Sequence, residues 1–121
     1  MERNSDESSE YESDDETPHQ QSKGVKLSVL HINCQSLKNK LAKLEIEAEE
    51  HDVVFLTETW LHKDIPNSEL VLEGFDNLAR KDRDEDRYGG VAIYCRSEIP
   101  VKERNDIQVR GNESVWIQIS L

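Results

Sequence analysis

The stretch V-V-F-L-T-E-T-W-L at residues 53–61 constrains this chain more than any other. Four apolar residues, Val53, Val54, Phe55 and Leu56, run unbroken into Thr57, Glu58, Thr59 and Trp60. A short run that is apolar throughout, with no alternation, reads as a central strand covered on both faces. A carboxylate just past the C-terminal end of such a strand stands where open α/β sheets collect their chemistry. Glu58 is therefore the first candidate for a functional residue.

Upstream, V-K-L-S-V-L-H-I at residues 25–32 reads as a first strand. It ends in Asn33-Cys34-Gln35-Ser36, and Ser36 suits the N-cap of a helix over residues 36–50. Leu37, Leu41, Leu44 and Ala48 recur there at helical spacing. Lysines come first in this helix and glutamates last, against the helix dipole, so packing of the apolar stripe has to hold it. The unit is strand, helix, parallel strand, with a right-handed crossover expected.

Asn33 and Glu58 then end neighbouring parallel strands at one edge of the sheet. A carboxylate, an amide oxygen and water suit a hard cation such as Mg²⁺. One carboxylate holding Mg²⁺ together with substrate phosphate oxygens is a common phosphoryl-transfer arrangement. Spacing leaves a second account open, in which Asn33 caps a turn and Glu58 pairs with an arginine.

Beyond Trp60, Pro66, Asn67 and Ser68 mark a turn, and residues 74–79 read as a short strand. Residues 80–87 alternate charges densely and are expected to be exposed. Gly89 and Gly90 lead into a second buried strand, V-A-I-Y-C at residues 91–95. Residues 114–121 alternate Val115, Ile117, Ile119 and Leu121 on one face, with Trp116 on the other. A β-α-β unit followed by antiparallel strands predicts a mixed sheet. The last strands bring no covering layer, so one face of the sheet should want a partner layer that the chain does not contain.

A length of 121 residues suits one domain. The formal charge of −11 is unevenly placed. Residues 1–22 hold eight acidic side chains and one basic, a net of −7, leaving −4 for the rest. We expect residues 1–22 to form a disordered acidic tail and residues 23–121 to form the domain. Neither part has the basic stripe of a protein that binds nucleic acid by charge alone. Carboxylates gathered around a divalent cation would make a site locally acidic in any case. No apolar run approaches the ~20 residues of a membrane helix, no signal peptide opens the chain, and two cysteines imply no disulfide framework. The expectation is a reduced, intracellular protein with no membrane partner; a nuclear location is not readable. The four histidines form no metal cluster, and P-loop, G-x-S-x-G and H-E-x-x-H motifs are absent.

Five segments in order, L-H-I-N-C-Q-S-L-K-N-K, F-L-T-E-T-W-L, R-K-D-R, Y-G-G-V-A-I-Y-C-R and E-S-V-W-I-Q-I, resemble one family over residues 25–121. It is the endonuclease/exonuclease/phosphatase superfamily, and the nearest likeness is to the apurinic-like endonuclease domain of non-LTR retrotransposons. The resemblance implies an α/β fold: the N-terminal half of a four-layer α-β-β-α, DNase-like sandwich. It implies Mg²⁺, with Mn²⁺ as an alternative, bound by Glu58 with Asn33 at the metal and phosphate site. Arg80, Arg83 and Tyr88 carry over as substrate-binding rim positions, Asp82, Gly89 and Gly90 as fold or rim positions, and Trp116 as structural. DNA is the implied substrate, with a reverse transcriptase domain as a further partner in the full-length element.

Complete domains of this family are about twice as long and add G-D-F-N and S-D-H segments. These carry the general base, the transition-state stabiliser and the histidine, and neither is in this sequence. Losing one charge stabiliser costs ~10²-fold or more in rate. The function expected is thus a metal-dependent, phosphodiester-cleaving endonuclease domain that is inactive as it stands. The alternatives are a non-catalytic retroelement fragment or domesticated binding module and, ranked lower, a phosphatase of the same superfamily.

Overall fold

The computed structural model describes residues 26–83, 88–107 and 113–120. The acidic tail, Val25 and Leu121 lie outside these residues, as does much of the charged run that ends at Arg87. Strands β1 (Val29–Asn33), β2 (Val53–Thr57), β3 (Asn77–Lys81) and β4 (Val91–Cys95) form a sheet in the order β1-β2-β4-β3. The β1–β2 pair is parallel, whereas β4 runs antiparallel to both its neighbours, so the sheet is mixed as expected. Strands β5 (Val101–Glu103) and β6 (Ile117–Ile119) form a separate antiparallel pair. The last strand was expected to extend the main sheet. It pairs instead with β5, which is too short and polar to stand out in the sequence.

The connection from β1 to β2 contains the α-helix α1 (Leu41–Glu47), preceded by a 3₁₀ turn at Lys38–Lys40. The helix is shorter than its apolar periodicity predicts, and Ser36 is not its cap. Ser36 sits at φ +88°, and its amide donates to the Glu58 carbonyl at 3.1 Å. The next amide, of Leu37, donates to the Thr59 carbonyl at 2.9 Å. The segment is thus bound to the chain leaving β2 before a helix can start. The stripe itself holds: Leu37, Leu44 and Ala48 are buried in the main core with Val54, Leu56, Ala92 and Tyr94.

The unfavourable charge order in α1 is answered from outside. Arg96, just past β4, donates to the carbonyls of Ala48, Glu49 and His51, beyond the helix C-terminus. A guanidinium there satisfies carbonyls that the helix leaves open and complements its dipole. The same group lies over the Phe75 ring, 4.3 Å from its centroid.

On the opposite face of the sheet a smaller core joins Val53, Ile93 and Cys95 to Val101, Val115, Ile117 and Ile119. This hairpin layer reaches only the β4 side. Phe55, expected to be covered, keeps 39% of its surface exposed, as does Val29 on the neighbouring strand. The strand is central but not covered on both faces: the alternation of β2 puts Phe55 on the same face as Val53, and the described β5–β6 layer covers Val53 without reaching Phe55.

Candidate active site

The parallel register of β1 and β2 sets Asn33 opposite Thr57, so both strands finish at the same edge. Past that edge the two chains stay laced together. Cys34 donates its amide to the Thr57 carbonyl at 3.0 Å, ahead of the Ser36 and Leu37 bonds. A third segment closes the other side: the amides of Thr59 and Trp60 donate to the carbonyls of Gly90 and Gly89 at 3.2 and 2.8 Å. Residues 58–60 are therefore gripped from both flanks.

Backbone strain concentrates there. Gln35, Ser36, Glu58 and Trp60 have φ of +45°, +88°, +55° and +56°, and Gly89 and Gly90 have +79° and +91°. A non-glycine residue in the left-handed region costs on the order of 1–3 kcal/mol and persists only where its surroundings impose it. Such residues gather at functional sites. The sequence hints at the glycines, but not at Glu58 and Trp60.

The Glu58 carboxylate is half-buried, and its Oε1 accepts the Trp60 indole N–H at 3.0 Å. Trp60 in turn meets Tyr88 edge-on, with centroids 4.9 Å apart. Among the described residues no arginine forms the pair with Glu58 that spacing had left open. Arg80 pairs with Asp82, Arg83 with Glu113 and Arg104 with Asp106, while Arg96 serves backbone carbonyls. Asn33 stands exposed at the strand end, and the neighbouring carbonyls of Cys34 and Gln35 accept from the Lys40 ammonium at 2.6 and 3.3 Å. Lys40, unremarked in the sequence, thus places a cation beside Asn33. A cleft of about 120 Å³ opens there, lined by Asn33, Lys40, Lys43 and Glu47 among others.

The other predicted positions divide. Tyr88 is exposed beside Trp60, and Arg83 reaches Glu113 through its Nε and Nη2, both at 3.2 Å. Arg80 is tied into the structure around it. It donates to the His62 carbonyl at 3.0 Å, to Asn67 Oδ1 at 2.8 Å and to both Asp82 oxygens. Its side chain is 14% exposed and that of Asp82 16%, so this pair within the charged run is not on the surface. Glu113, which sequence reasoning missed, also accepts the Gly90 amide at 2.8 Å.

Among the described residues no group of three or more histidine, cysteine, aspartate or glutamate side chains gathers to hold a metal. The donor set at the strand edge is one carboxylate and one amide oxygen. These are hard oxygen donors, and Glu58 keeps Oε2 beyond its bond to Trp60. They fit a cation that completes its shell with water and substrate oxygens, not a closed protein cage.

Neither Cys34, at the site, nor Cys95, at the far end of β4, suits nucleophilic chemistry. Burial pushes the Cys34 thiol above its ordinary pKa, only partly opposed by the Lys40 charge, and burial raises Cys95 likewise.

A profile of the endonuclease/exonuclease/phosphatase family matches residues 30–121, from within β1 through both strand ends to Glu113 and β6. The chain belongs to this family. A search of the curated proteins finds no match. The match covers both strand ends and names the family alone.

Proposed function

We propose that residues 23–121 are the N-terminal half of a DNase-like, four-layer endonuclease domain of retrotransposon type. Glu58 is the Mg²⁺ ligand, and Asn33 stands beside it at the metal and phosphate site. The observation that carries this reading is the geometry of Glu58: a half-buried carboxylate on a strained, doubly anchored turn, one residue past the Asn33–Thr57 pair, whose Oε1 accepts an indole N–H. Strain of that kind is retained where it aims a functional group.

A divalent cation bound there would polarise a phosphodiester oxygen and offset the charge of the transition state. The residues around it do the rest. Trp60 orients the carboxylate, Lys40 adds positive charge beside Asn33, and Arg83 and Tyr88 flank the approach of a DNA backbone. A general base and a transition-state stabiliser have no counterpart in these 121 residues, so we propose that they bind the cation without turnover.

The test pairs Mn²⁺ binding, read from the electron paramagnetic resonance signal of the free ion, with nicking of supercoiled plasmid. Binding should be present, lost in Glu58→Gln and unaccompanied by nicking. Metal-dependent nicking that survives Glu58→Ala would sink the assignment of Glu58. A second reading, a non-catalytic binding module, draws on the apolar surface left open at Val29 and Phe55. Absence of Mn²⁺ binding in the parent chain would favour it.

A further inference from the structure

We propose that Glu113 is the positioning residue of the Glu58 site. It holds the turn at residues 58–60, with Glu58 and Trp60 left-handed, from a distance, through Gly89 and Gly90. The chain of contacts is continuous. Glu113 Oε2 accepts the Gly90 amide at 2.8 Å, and the two carboxylate oxygens accept Arg83 Nη2 and Nε at 3.2 Å each. Gly90 and Gly89 pass the restraint on, because their carbonyls accept the Thr59 and Trp60 amides. Trp60 then returns it to the carboxylate, its indole N–H donating to Glu58 Oε1 at 3.0 Å.

The two glycines are held to their identity by the same arrangement. A Cβ on Gly89 would overlap the Arg83 guanidinium, and one on Gly90 would come within 2.5 Å of Thr59 Oγ1. The guanidinium therefore lies close against Gly89, while Gly90 backs onto Thr59. Glu113 serves both parts, anchoring Gly90 directly and Arg83 as a lid over Gly89. Its effect on the turn stands on these contacts alone, whereas its effect on cation affinity rests on the reading of Glu58 as the ligand.

Amide hydrogen exchange on the full chain tests the first effect. Glu113→Ala should raise the exchange rates of the Thr59 and Trp60 amides about tenfold, the scale of one hydrogen bond to a charged group. Those of Val54 and Leu56 in β2 should stay as they are. Glu113→Gln, which keeps an acceptor for the Gly90 amide, should restore most of the protection. Unchanged exchange at Thr59 and Trp60 overturns the proposal. So does a uniform rise that includes β2, the mark of a merely structural loss. Should Glu113→Ala fail to fold, Arg83→Gln removes both guanidinium bonds and should raise the same two rates about threefold, a share of the effect of removing Glu113; no change overturns the proposal.

Mn²⁺ titration tests the second effect. The Kd should rise about tenfold in Glu113→Ala. A parent that binds Mn²⁺ with the same Kd as the variant overturns the link to the site. A parent that binds none removes the endonuclease reading, and the exchange rates then decide the clamp by themselves.

Discussion

Thr59 and Gly90 meet at close quarters in the site. The Thr59 hydroxyl is fully buried and has no hydrogen-bond partner, and Gly90 stands at φ +91° directly against it. A buried hydroxyl left unsatisfied costs ~1–3 kcal/mol. Thr59→Val keeps the shape and discards the hydroxyl, so it should raise stability by about 1 kcal/mol in urea denaturation. Gly90→Ala should lower it by about 2 kcal/mol or more, from backbone strain plus overlap with Thr59. The two changes are coupled. Thr59→Ala should recover part of the Gly90→Ala loss, and simple additivity in the double variant would refute the contact. At this scale the sequence was partly legible. Glu58 announces itself as a carboxylate just past an apolar run, and Gly89-Gly90 announces a close approach. Nothing in the local sequence shows that Glu58 and Trp60 take positive φ, because that is imposed by bonds from residues 34–37 and 89–90 rather than by their own preferences. Glu113 is illegible for the same reason: its partners are remote along the chain.

Among the elements, α1 is the one whose stability is supplied from elsewhere. Arg96→Ala removes the donors to Ala48, Glu49 and His51 and the contact over Phe75, and should cost about 2–3 kcal/mol. Arg96→Lys should recover little, since an ammonium cannot reproduce a planar fork serving several carbonyls. Recovery by lysine would mean that charge at the helix end is enough. The pH response belongs to β4. Burial raises the Tyr94 phenol well above its usual pKa, and its hydroxyl donates to the Leu70 carbonyl at 2.6 Å. A group whose folded pKa is raised contributes stability that is complete below the unfolded value of ~10. That contribution is lost as pH climbs towards the folded value. Melting temperature should therefore fall above pH ~10, and Tyr94→Phe should flatten that decline. The sequence shows β1, β2 and β4 because each is apolar at the right period. It overextends the helix, because periodicity does not register the bonds that hold Ser36 and Leu37 to another segment.

For the whole molecule, adjacent residues of β2 report two different environments. Leu56 is fully buried under α1, while Phe55 faces the side that the β5–β6 layer leaves open. Leu56→Ala should cost about 3–4 kcal/mol, and Phe55→Thr less than about 1 kcal/mol, in the same denaturation measurement. Equal losses would mean that Phe55 has a covering layer after all. The β2 strand was legible in its apolar run. The β5–β6 pairing was not, because three-residue strands carry almost no pattern. The laced turn at Glu58 has one more consequence, which concerns time. Its anchors come from segments well before and well after it, so no early, locally folded intermediate can contain it. Closing such distant contacts is the slow part of folding a sheet. The site is thus assembled last, when every strand of the main sheet is in register. Anything that binds there binds only the finished fold, and at a hundredfold excess over its Kd would add ~2.7 kcal/mol to the stability of strands it never touches.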